Sequence, residues 1–309
     1  MSNKLYISVS PHISSPRTTA SIMLDVLIAL LPTTVAGIII FGIRSLFVVI
    51  ASVAAAVLAE FIFCLVTKRK NTVSDLSAAV TGLLLALNLP ANIPIWQTVI
   101  GAAFAVLCVK CFFGGIGQNF ANPAITGRIF MIVAFTNTTA AAFPTSVDTV
   151  GGATPLVSLS EGVVPSLTDL LIGLRGGAIG EVCSIALLVG FVYLLVRRVV
   201  RPFAPIAFIL TVFLLTLWYE GGDAVAALAW CMSGGLLLGA IFMATDYATT
   251  PITDMGKLIF GVGSGLITVL IRFWGSYPEG VSFAILIMNI LTPYIDRLVQ
   301  RKPFGGKIK

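Results

Sequence analysis

The amino-acid sequence predicts an all-α membrane protein that crosses the bilayer about ten times. Of the 309 residues, 58% are hydrophobic and only 10% are charged, and the mean hydropathy is +1.03. Because soluble domains carry about 25% charged residues, this composition excludes a water-facing globule, a disordered tail and a disulfide-stapled secreted module. We expect a single integral membrane domain over residues 1–309.

Ten apolar stretches approach the length of about 20 residues that a membrane-spanning helix needs. Several of them contain Gly or Pro, which predicts bent or broken helices. In chain order they cover approximately residues 22–43, 45–66, 75–90, 94–113, 123–141, 181–200, 203–219, 224–243, 256–274 and 279–297.

The basic residues predict the orientation of these spans. With both termini in the cytoplasm, 16 of the 19 basic residues fall at cytoplasmic ends, and only Arg44, Arg175 and Arg272 fall outside. This distribution follows the enrichment of Lys and Arg in cytoplasmic loops. We expect Lys110 to extend its amine to the cytoplasmic face. The longest loop, about 142–180, then lies outside the cytoplasm, and its Gly, Ser, Thr and Pro content predicts an irregular surface segment.

The two halves of the chain resemble each other weakly. The segment that starts at Gly82, GLLLALNLP, is similar to GLLLGAIFMATDYATTP, which starts at Gly235, and Lys110 then falls against Arg272. We expect two five-span repeats, about 22–141 and 181–297, separated by the outer loop 142–180. Since an odd number of spans forces the copies into opposite orientations, this is an inverted repeat, an architecture whose sites form from broken helices at the repeat interface.

A few charged side chains lie within or beside the apolar spans, where a charge must be paired, extended to the interface or used. For each one alone we expect structural ion pairing, and we consider Asp25 and Asp246 as candidates for coupling to ion movement. The charged residues in question are Asp25, Arg128, Asp246, Asp254 and Lys257.

Metal and haem sites are disfavoured by the residue counts. The chain has one histidine, His12, and five cysteines in or beside apolar stretches. Cys108 and Cys111 in CVKC look like half of a metal or redox motif, and helical spacing is expected to place them on one face. No second pair of ligands follows, so we predict no metal site within the chain, and ligation of a cluster shared with another subunit stays open as the alternative.

Two polar segments interrupt the apolar pattern. In GGIGQNFANPAITGR, Asn119 and Asn122 offer amide groups just before Pro123, which starts a helix whose first N–H groups lack partners. Such a segment suits a polar, partly anionic ligand, or Asn122 simply caps the helix. In the outer loop, DTVGGATPL places the Thr154 hydroxyl beside glycines and before a proline, where residue type alone indicates a turn.

Several motifs together resemble the D subunit of Rnf-type ion-translocating electron-transport complexes, a family that is similar to the B subunit of sodium-pumping NADH:quinone oxidoreductases. The resemblance covers the chain from about Leu24 to Asp296. The motifs are GGIGQNFANPAITGR, DTVGGATPL, GLRGGAIGE, IFMATDYATTPIT and YPEGVSFAILIMNILTPYID.

The resemblance implies a flavoprotein. In this family FMN is attached through its phosphate to a threonine by a separate flavin transferase, at a motif in which an Asp precedes an Ala-Thr pair. Asp148, Gly152, Ala153 and Thr154 match that motif, so Thr154 is the implied attachment site. The departure is Gly151, where relatives often have Ser or Thr.

The resemblance also implies a second, non-covalent flavin near the opposite face. This flavin is riboflavin or a second FMN, and Asn119 and Asn122 are the residues that would hold it. Their amides would hydrogen-bond the edge of its ring system.

As a member of such a complex, the chain is expected in the inner membrane of a prokaryote, with the Thr154 loop outside the cytoplasm. It would relay electrons between flavins within a ferredoxin:NAD oxidoreductase that moves Na⁺ or H⁺, and it would not be catalytic alone. The implied partners are an FMN-carrying subunit, iron–sulfur subunits, the flavin transferase and the lipid bilayer, and no nucleic acid. The alternative is a cofactor-free inverted-repeat transporter or channel, which broken helices fit equally well.

Overall fold

A computed structural model of the protein describes residues 17–69, 71–135, 142–144, 154–275 and 279–299. Within these ranges the regular elements are helices, and the one β-type pairing is an isolated bridge between Ala142 and Gly177. The all-α prediction is confirmed.

The first half of the chain forms five helical segments. Thr18 caps the first helix in a reciprocal capping box with Ser21, and Gly42, with φ of +78°, turns the chain directly into the second. A short 3₁₀ turn, Val73–Asp75, leads into the third. The helices are α1 Thr19–Phe41, α2 Ile43–Val66, α3 Ser77–Leu87, α4 Ile95–Phe104 with a π-helical continuation Ala105–Cys111, and α5 Pro123–Ala134.

The second half forms five further apolar segments, which follow two short helices. The short helices are α6 Pro155–Ser160 and α7 Leu167–Ile172. The others are α8 Ser184–Val196, α9 Phe203–Tyr219, α10 Ala224–Met232, α11 Leu236–Leu238 with a π-helical continuation Gly239–Met243, α12 Asp254–Trp274 and α13 Val281–Leu298.

These helices account for every predicted span. Among the described residues, α1, α2, α12 and α13 are long and apolar enough to cross a membrane alone. The segments Ala224–Met232 and Leu236–Met243 meet that criterion together but are bent by 64° at their break. The other five predicted spans coincide with shorter apolar helices of 10 to 17 residues. The protein is therefore an all-α polytopic membrane protein.

The two helices that correspond to the third and eighth predicted spans lie at the centre of the molecule. Nearly all of α3 is buried, and so is the whole of α11 with its π-helical continuation. The longer helices surround them and expose large apolar side chains such as Ile39, Val196 and Trp218, of which 74%, 76% and 78% is exposed. Lipid is the medium that suits such a surface.

Helix packing has the same pattern in both halves. In the first half, α2 packs against α3 and α4, and α4 contacts α5. In the second half, α9 packs against α10 and α12, and α12 contacts α13. The halves meet through contacts of α1 with α8 and of α5 with α13. Each half therefore packs a short or broken helix between longer ones.

The loop after α5 is more regular than its composition predicts. It contains α6 and α7, and it ends in a buried segment that returns to the end of α3. There the backbone N–H groups of Ile179 and Gly180 donate to the carbonyls of Leu89 and Leu87, at 3.0 and 2.8 Å. The expectation of an irregular surface loop is wrong for this part, because these pairings let backbone polar groups be buried without penalty.

Candidate functional site

Thr154 begins the short helix α6. Its side-chain Oγ1 accepts a hydrogen bond from the Val157 backbone N–H at 3.4 Å, and the side chain is half-buried. Pro155 follows at the first helical position, where its missing N–H costs nothing. The other predicted residues of this motif, Asp148, Gly152 and Ala153, lie outside the described residues.

Helix α6 is anchored on the broken span. Leu156 and Leu159 pack with Ala229 and Trp230 of α10 in one buried apolar cluster. This cluster fixes the helix that starts at Thr154 against the end of α10 that precedes the break.

The break between α10 and α11 occurs at two glycines. Gly234 and Gly235 both have φ of +67°, a left-handed conformation that glycine adopts without steric cost. A Cβ on Gly234 would lie 2.3 Å from the Leu156 side chain. Glycine is therefore needed at position 234 for two reasons: its backbone is left-handed, and the Leu156 side chain of α6 packs directly against it.

Arg272 of α12 satisfies the carbonyl groups that this break leaves without helical partners. Its Nη1 donates to the Trp230 carbonyl at 2.7 Å, and its Nη2 donates to the Ser233 carbonyl at 2.8 Å. The side chain is buried, and its Nε has no hydrogen-bond partner among the described residues. The Arg272 side chain therefore belongs to the protein interior, and its predicted position toward the outer side of the membrane stays a prediction.

A second buried arginine joins the two halves. Arg128 of α5 donates from Nη1 to the Asn88 side-chain oxygen at 2.6 Å, and from Nη2 to a carboxylate oxygen of Glu279. Arg128 is therefore ion-paired, as predicted for a charge inside a span. Glu181 lies in the same neighbourhood, with its carboxylate Oε2 buried and unpartnered within the described part of the chain.

The prediction that Lys110 extends to the cytoplasmic face is wrong. Only 2% of the side chain is exposed. Its Nζ donates to Oε1 of Glu60 at 2.8 Å and also donates to Ser77 Oγ, and Thr72 donates to the same Glu60 oxygen at 2.7 Å. The ammonium group pairs with the buried carboxylate of α2 and does not reach solvent. The pair can be buried because burying either charge alone would cost far more free energy.

The two predicted asparagines have different surroundings. Asn122 caps α5, with its side-chain oxygen accepting from the Ala124 backbone N–H at 3.0 Å, and its amide donates to the Met243 carbonyl at 3.2 Å. The capping role considered for Asn122 is thus observed. Asn119 differs, because its side-chain oxygen is buried without a hydrogen-bond partner among the residues that the structure describes.

Asn119 and Asn122 line a cavity whose wall also includes Lys110 and Asp246. An adjoining cavity of about 590 Å³ shares Asp246 with it and extends to the start of α1 and the end of α13. The cavity at Asn119 and Asn122 has a volume of about 90 Å³, and the adjoining cavity is the one whose volume lies in the range of about 300–1,000 Å³ that is typical of ligand sites.

A family model described as NQR2, RnfD, RnfE matches residues 6–305. The chain belongs to this family. A relative from Acetobacterium woodii, the D subunit of the Na⁺-translocating ferredoxin:NAD⁺ oxidoreductase complex, is 44% identical over 99% of this chain and 97% of its own length.

Two other members of the NQR2, RnfD, RnfE family have the same extent. The D subunit of the proton-translocating ferredoxin:NAD⁺ oxidoreductase complex of Clostridium ljungdahlii is 38% identical over 99% of this chain and 97% of its own. The D subunit of the ion-translocating oxidoreductase complex of Citrobacter koseri is 33% identical over 97% and 99%. The resemblance inferred from the motifs is confirmed.

The acidic residues within or beside the spans, of which Asp25 and Asp246 were considered for ion movement, are not equivalent. Asp25 accepts from Arg197 Nε at 3.2 Å and from the Tyr193 hydroxyl at 3.1 Å, and it forms an ion pair with Arg197. Asp254 pairs with Arg201. Asp246 forms no ion pair with any described residue, and burial raises its pKa.

The cysteine pair lies in a π-helical segment and not in the regular α-helix on which a shared face was expected. Cys108 is half-buried and Cys111 is buried, and both belong to the π-helical segment. The wider π turn rotates residues three apart further from each other than an α-helix would. Among the described residues, no group of three or more His, Cys, Asp or Glu side chains is placed to hold a metal ion.

Several polar residues at these sites were missed by the sequence reasoning. Glu60 lies in an apolar span, and the rule that singled out Asp25 applies to it equally. Asn88, Glu181 and Glu279 stand beside turns, where polar side chains are ordinary. Only the folded chain brings them together with Arg128.

Proposed function

We propose that this chain is the membrane-embedded D subunit of an ion-translocating ferredoxin:NAD oxidoreductase complex. The observation that carries the proposal is similarity over essentially the whole chain to subunits that bear this name. The chain would pass electrons through the membrane within a redox-driven translocase that moves Na⁺ or H⁺, and it would have no catalytic activity alone.

The first cofactor in this proposal is FMN attached through its phosphate to Thr154. The half-buried hydroxyl at the start of α6 is available to form a phosphoester, and the bridging oxygen would still be able to accept the N–H of Val157. When bound, FMN supplies the electron-transfer chemistry. The protein contributes position, since Leu156 and Leu159 hold this helix on α10.

In-gel flavin fluorescence tests this assignment. We expect the full chain, produced together with its flavin transferase, to give a fluorescent band that survives denaturation, and Thr154→Ala to abolish the band. Thr168→Ala is the matched control, because this threonine stands at the start of the next short helix, α7, and its hydroxyl forms a hydrogen bond with that of Ser166. A colourless wild-type band would instead favour the cofactor-free transporter.

The second cofactor is a non-covalent flavin, riboflavin or FMN, in the cavity beside Asn119 and Asn122. The support is the buried side-chain oxygen of Asn119, an acceptor without a donor among the described residues. Such an oxygen would accept an N–H from a flavin ring edge. The amide of Asn122 is committed to the Met243 carbonyl and to the start of α5, so its contribution would be to shape the wall.

Flavin extraction tests the second site. Acid extraction releases only non-covalent flavin, and chromatography distinguishes riboflavin from FMN. We expect Asn119→Leu to lose this released flavin while the covalent band at Thr154 remains. Equal release from wild type and Asn119→Leu would contradict the site without affecting the assignment of Thr154.

The partners proposed for the chain follow from the same membership. They are the other subunits of the complex, including an FMN-carrying subunit and iron–sulfur subunits, together with the flavin transferase during maturation. Co-purification of these subunits with a tagged copy of the chain checks the proposal.

The proposed membrane orientation places both termini in the cytoplasm and the Thr154 loop outside. Labelling of a Thr168→Cys variant by a membrane-impermeant thiol reagent in whole cells, compared with wild type, would test that orientation.

The proposed domain organisation is an inverted repeat of about 22–141 and 181–297. Support comes from the equivalent packing of α2 and α9 against their neighbours. Further support comes from two buried cations, Lys110 and Arg272, which the repeat aligns and which each contact the start of a central half-helix.

A further inference from the structure

A basic cleft lies where α8 ends and where α9 and α12 begin. It has a volume of about 280 Å³, and its lining includes four cationic side chains, Arg17, Arg198, Arg201 and Lys257. This end of the molecule is the predicted cytoplasmic side. Asn119 and Asn122 do not line this cleft; they line a neighbouring cavity that shares Val199, Val200, Thr245 and Tyr247 with it.

Among the described residues, ion pairs balance only part of the positive charge of the cleft. Arg201 forms an ion pair with Asp254. Arg198 and Lys257 form no ion pair with any residue that the structure describes. Several cations held around one concavity repel each other, and an anionic ligand would relieve that repulsion.

The backbone holds this arrangement in place. Arg198 has φ of +52°, in the left-handed region that residues other than glycine rarely occupy. Its carbonyl accepts from Arg17 Nη1 at 3.4 Å, and the next carbonyl, of Val199, accepts the hydroxyl of Tyr247. Contacts from two other segments of the chain therefore fix the bend that presents Arg198 to the cleft.

We propose that this basic cleft binds the phosphate group of an anionic phospholipid. The remaining walls include Ile22, Val199, Val200 and Ala204, which suit the glycerol and the first carbons of an acyl chain. Basic pockets between membrane helices at the cytoplasmic surface are suited to anionic head groups, with each Lys or Arg near the surface contributing about fivefold in binding. A free phosphate ion shares the chemistry of the head group but not the apolar contacts.

Native mass spectrometry of the purified full chain tests the proposal. Phosphatidylglycerol and phosphatidylcholine are each added to delipidated protein, and retained lipid is counted. We expect wild type to retain phosphatidylglycerol preferentially, and Arg198→Gln with Lys257→Gln to weaken that retention by about 25-fold, which is about fivefold for each charge removed. The matched control is Lys68→Gln with Arg69→Gln, which removes two exposed cations from the end of α2, outside the cleft.

The possible outcomes separate the sources of the phosphate. Equal retention by the cleft variant and the control variant overturns the site. Displacement of the lipid by millimolar inorganic phosphate, with no preference between the two lipids, overturns the lipid assignment. Lys257→Arg keeps the charge, so it should retain wild-type binding, and a loss there equal to that of Lys257→Gln would contradict an electrostatic origin.

Discussion

Two central helices, α3 and α11, each have one buried cation at their start, although α3 follows a loop with a 3₁₀ turn and α11 follows the break at Gly234 and Gly235. Before α3 the cation is Lys110, which donates to side chains, to the carboxylate of Glu60 and the hydroxyl of Ser77. Before α11 it is Arg272, which donates to backbone carbonyls around the break. Both cations are buried.

The difference follows from the chemistry of the two cations and from how the chain enters each helix. Lysine is a compact charge, and it is buried here beside a carboxylate that balances it. Arginine presents a planar fork of donors, which can serve several carbonyls left by an interrupted helix without an anion. The start of α3 thus depends on a charge pair, whereas the break before α11 depends on backbone hydrogen bonds and on glycine.

The largest expected effect is at the start of α3. Lys110→Met leaves the carboxylate of Glu60 buried without its cation, and we expect the free energy of unfolding to fall by about 3–5 kcal/mol. Denaturant unfolding in detergent, followed by tryptophan fluorescence, measures the change.

The double variant Lys110→Met with Glu60→Gln tests whether the loss comes from the charge pair. Because neither side chain is then charged, most of the lost stability should return. A double variant that is as unstable as Lys110→Met would show that the start of α3 does not depend on ion pairing.

A smaller effect is expected at the break between α10 and α11. Arg272→Lys keeps the charge but is too short and too narrow to serve carbonyls of both Trp230 and Ser233, so we expect a loss of about 2–3 kcal/mol. Arg44→Lys is the control, since Arg44 is exposed and makes one bond, at 2.9 Å, to the Asn92 carbonyl. The comparison fails if both arginines tolerate lysine equally in thermal unfolding.

The glycines at the break between α10 and α11 allow a finer test. Gly234→Ala adds a Cβ 2.3 Å from Leu156 to a left-handed residue, so we expect about 2 kcal/mol of destabilisation. Gly235→Ala should cost only about 1 kcal/mol, since its nearest neighbour would be 3.6 Å away. Adding Leu156→Ala should partly rescue Gly234→Ala in melting experiments but not Gly235→Ala, and equal rescue of both would contradict the clash.

Sequence reasoning predicted the ten spans well, because apolar runs are a local property. It misjudged side chains whose environment depends on distant partners. The carboxylate that holds Lys110 belongs to Glu60, 50 residues away, and Arg128 is held by Glu279, 151 residues away. No spacing along the chain indicates such pairs, although the cost of burying any unpaired charge indicates that partners exist.

The ends of the two central half-helices differ as well, and here the smallest change in stability is expected. Asn88 follows α3 and accepts from Arg128, whereas Asp246 follows the α11 segment and accepts from Thr249 Oγ1 at 3.1 Å. Asp246→Asn makes the second end resemble the first and keeps an acceptor oxygen. We therefore expect the free energy of unfolding at low pH to change by less than about 0.5 kcal/mol.

The pH dependence gives Asp246→Asn a distinctive signature. Burial raises the pKa of Asp246, so the folded protein favours the neutral carboxyl. Wild-type stability from this group is then present at low pH and is lost as the pH rises from the ordinary carboxyl pKa through the raised value, whereas the variant lacks that loss.

If Asp246 also couples ion movement, proteoliposomes of the whole complex with Asp246→Asn should lose ion transport, while Asp25→Asn, which breaks a pair with Arg197, should keep it. Unchanged transport in Asp246→Asn would leave the acid at this end with a structural role only, equivalent to that of Asn88.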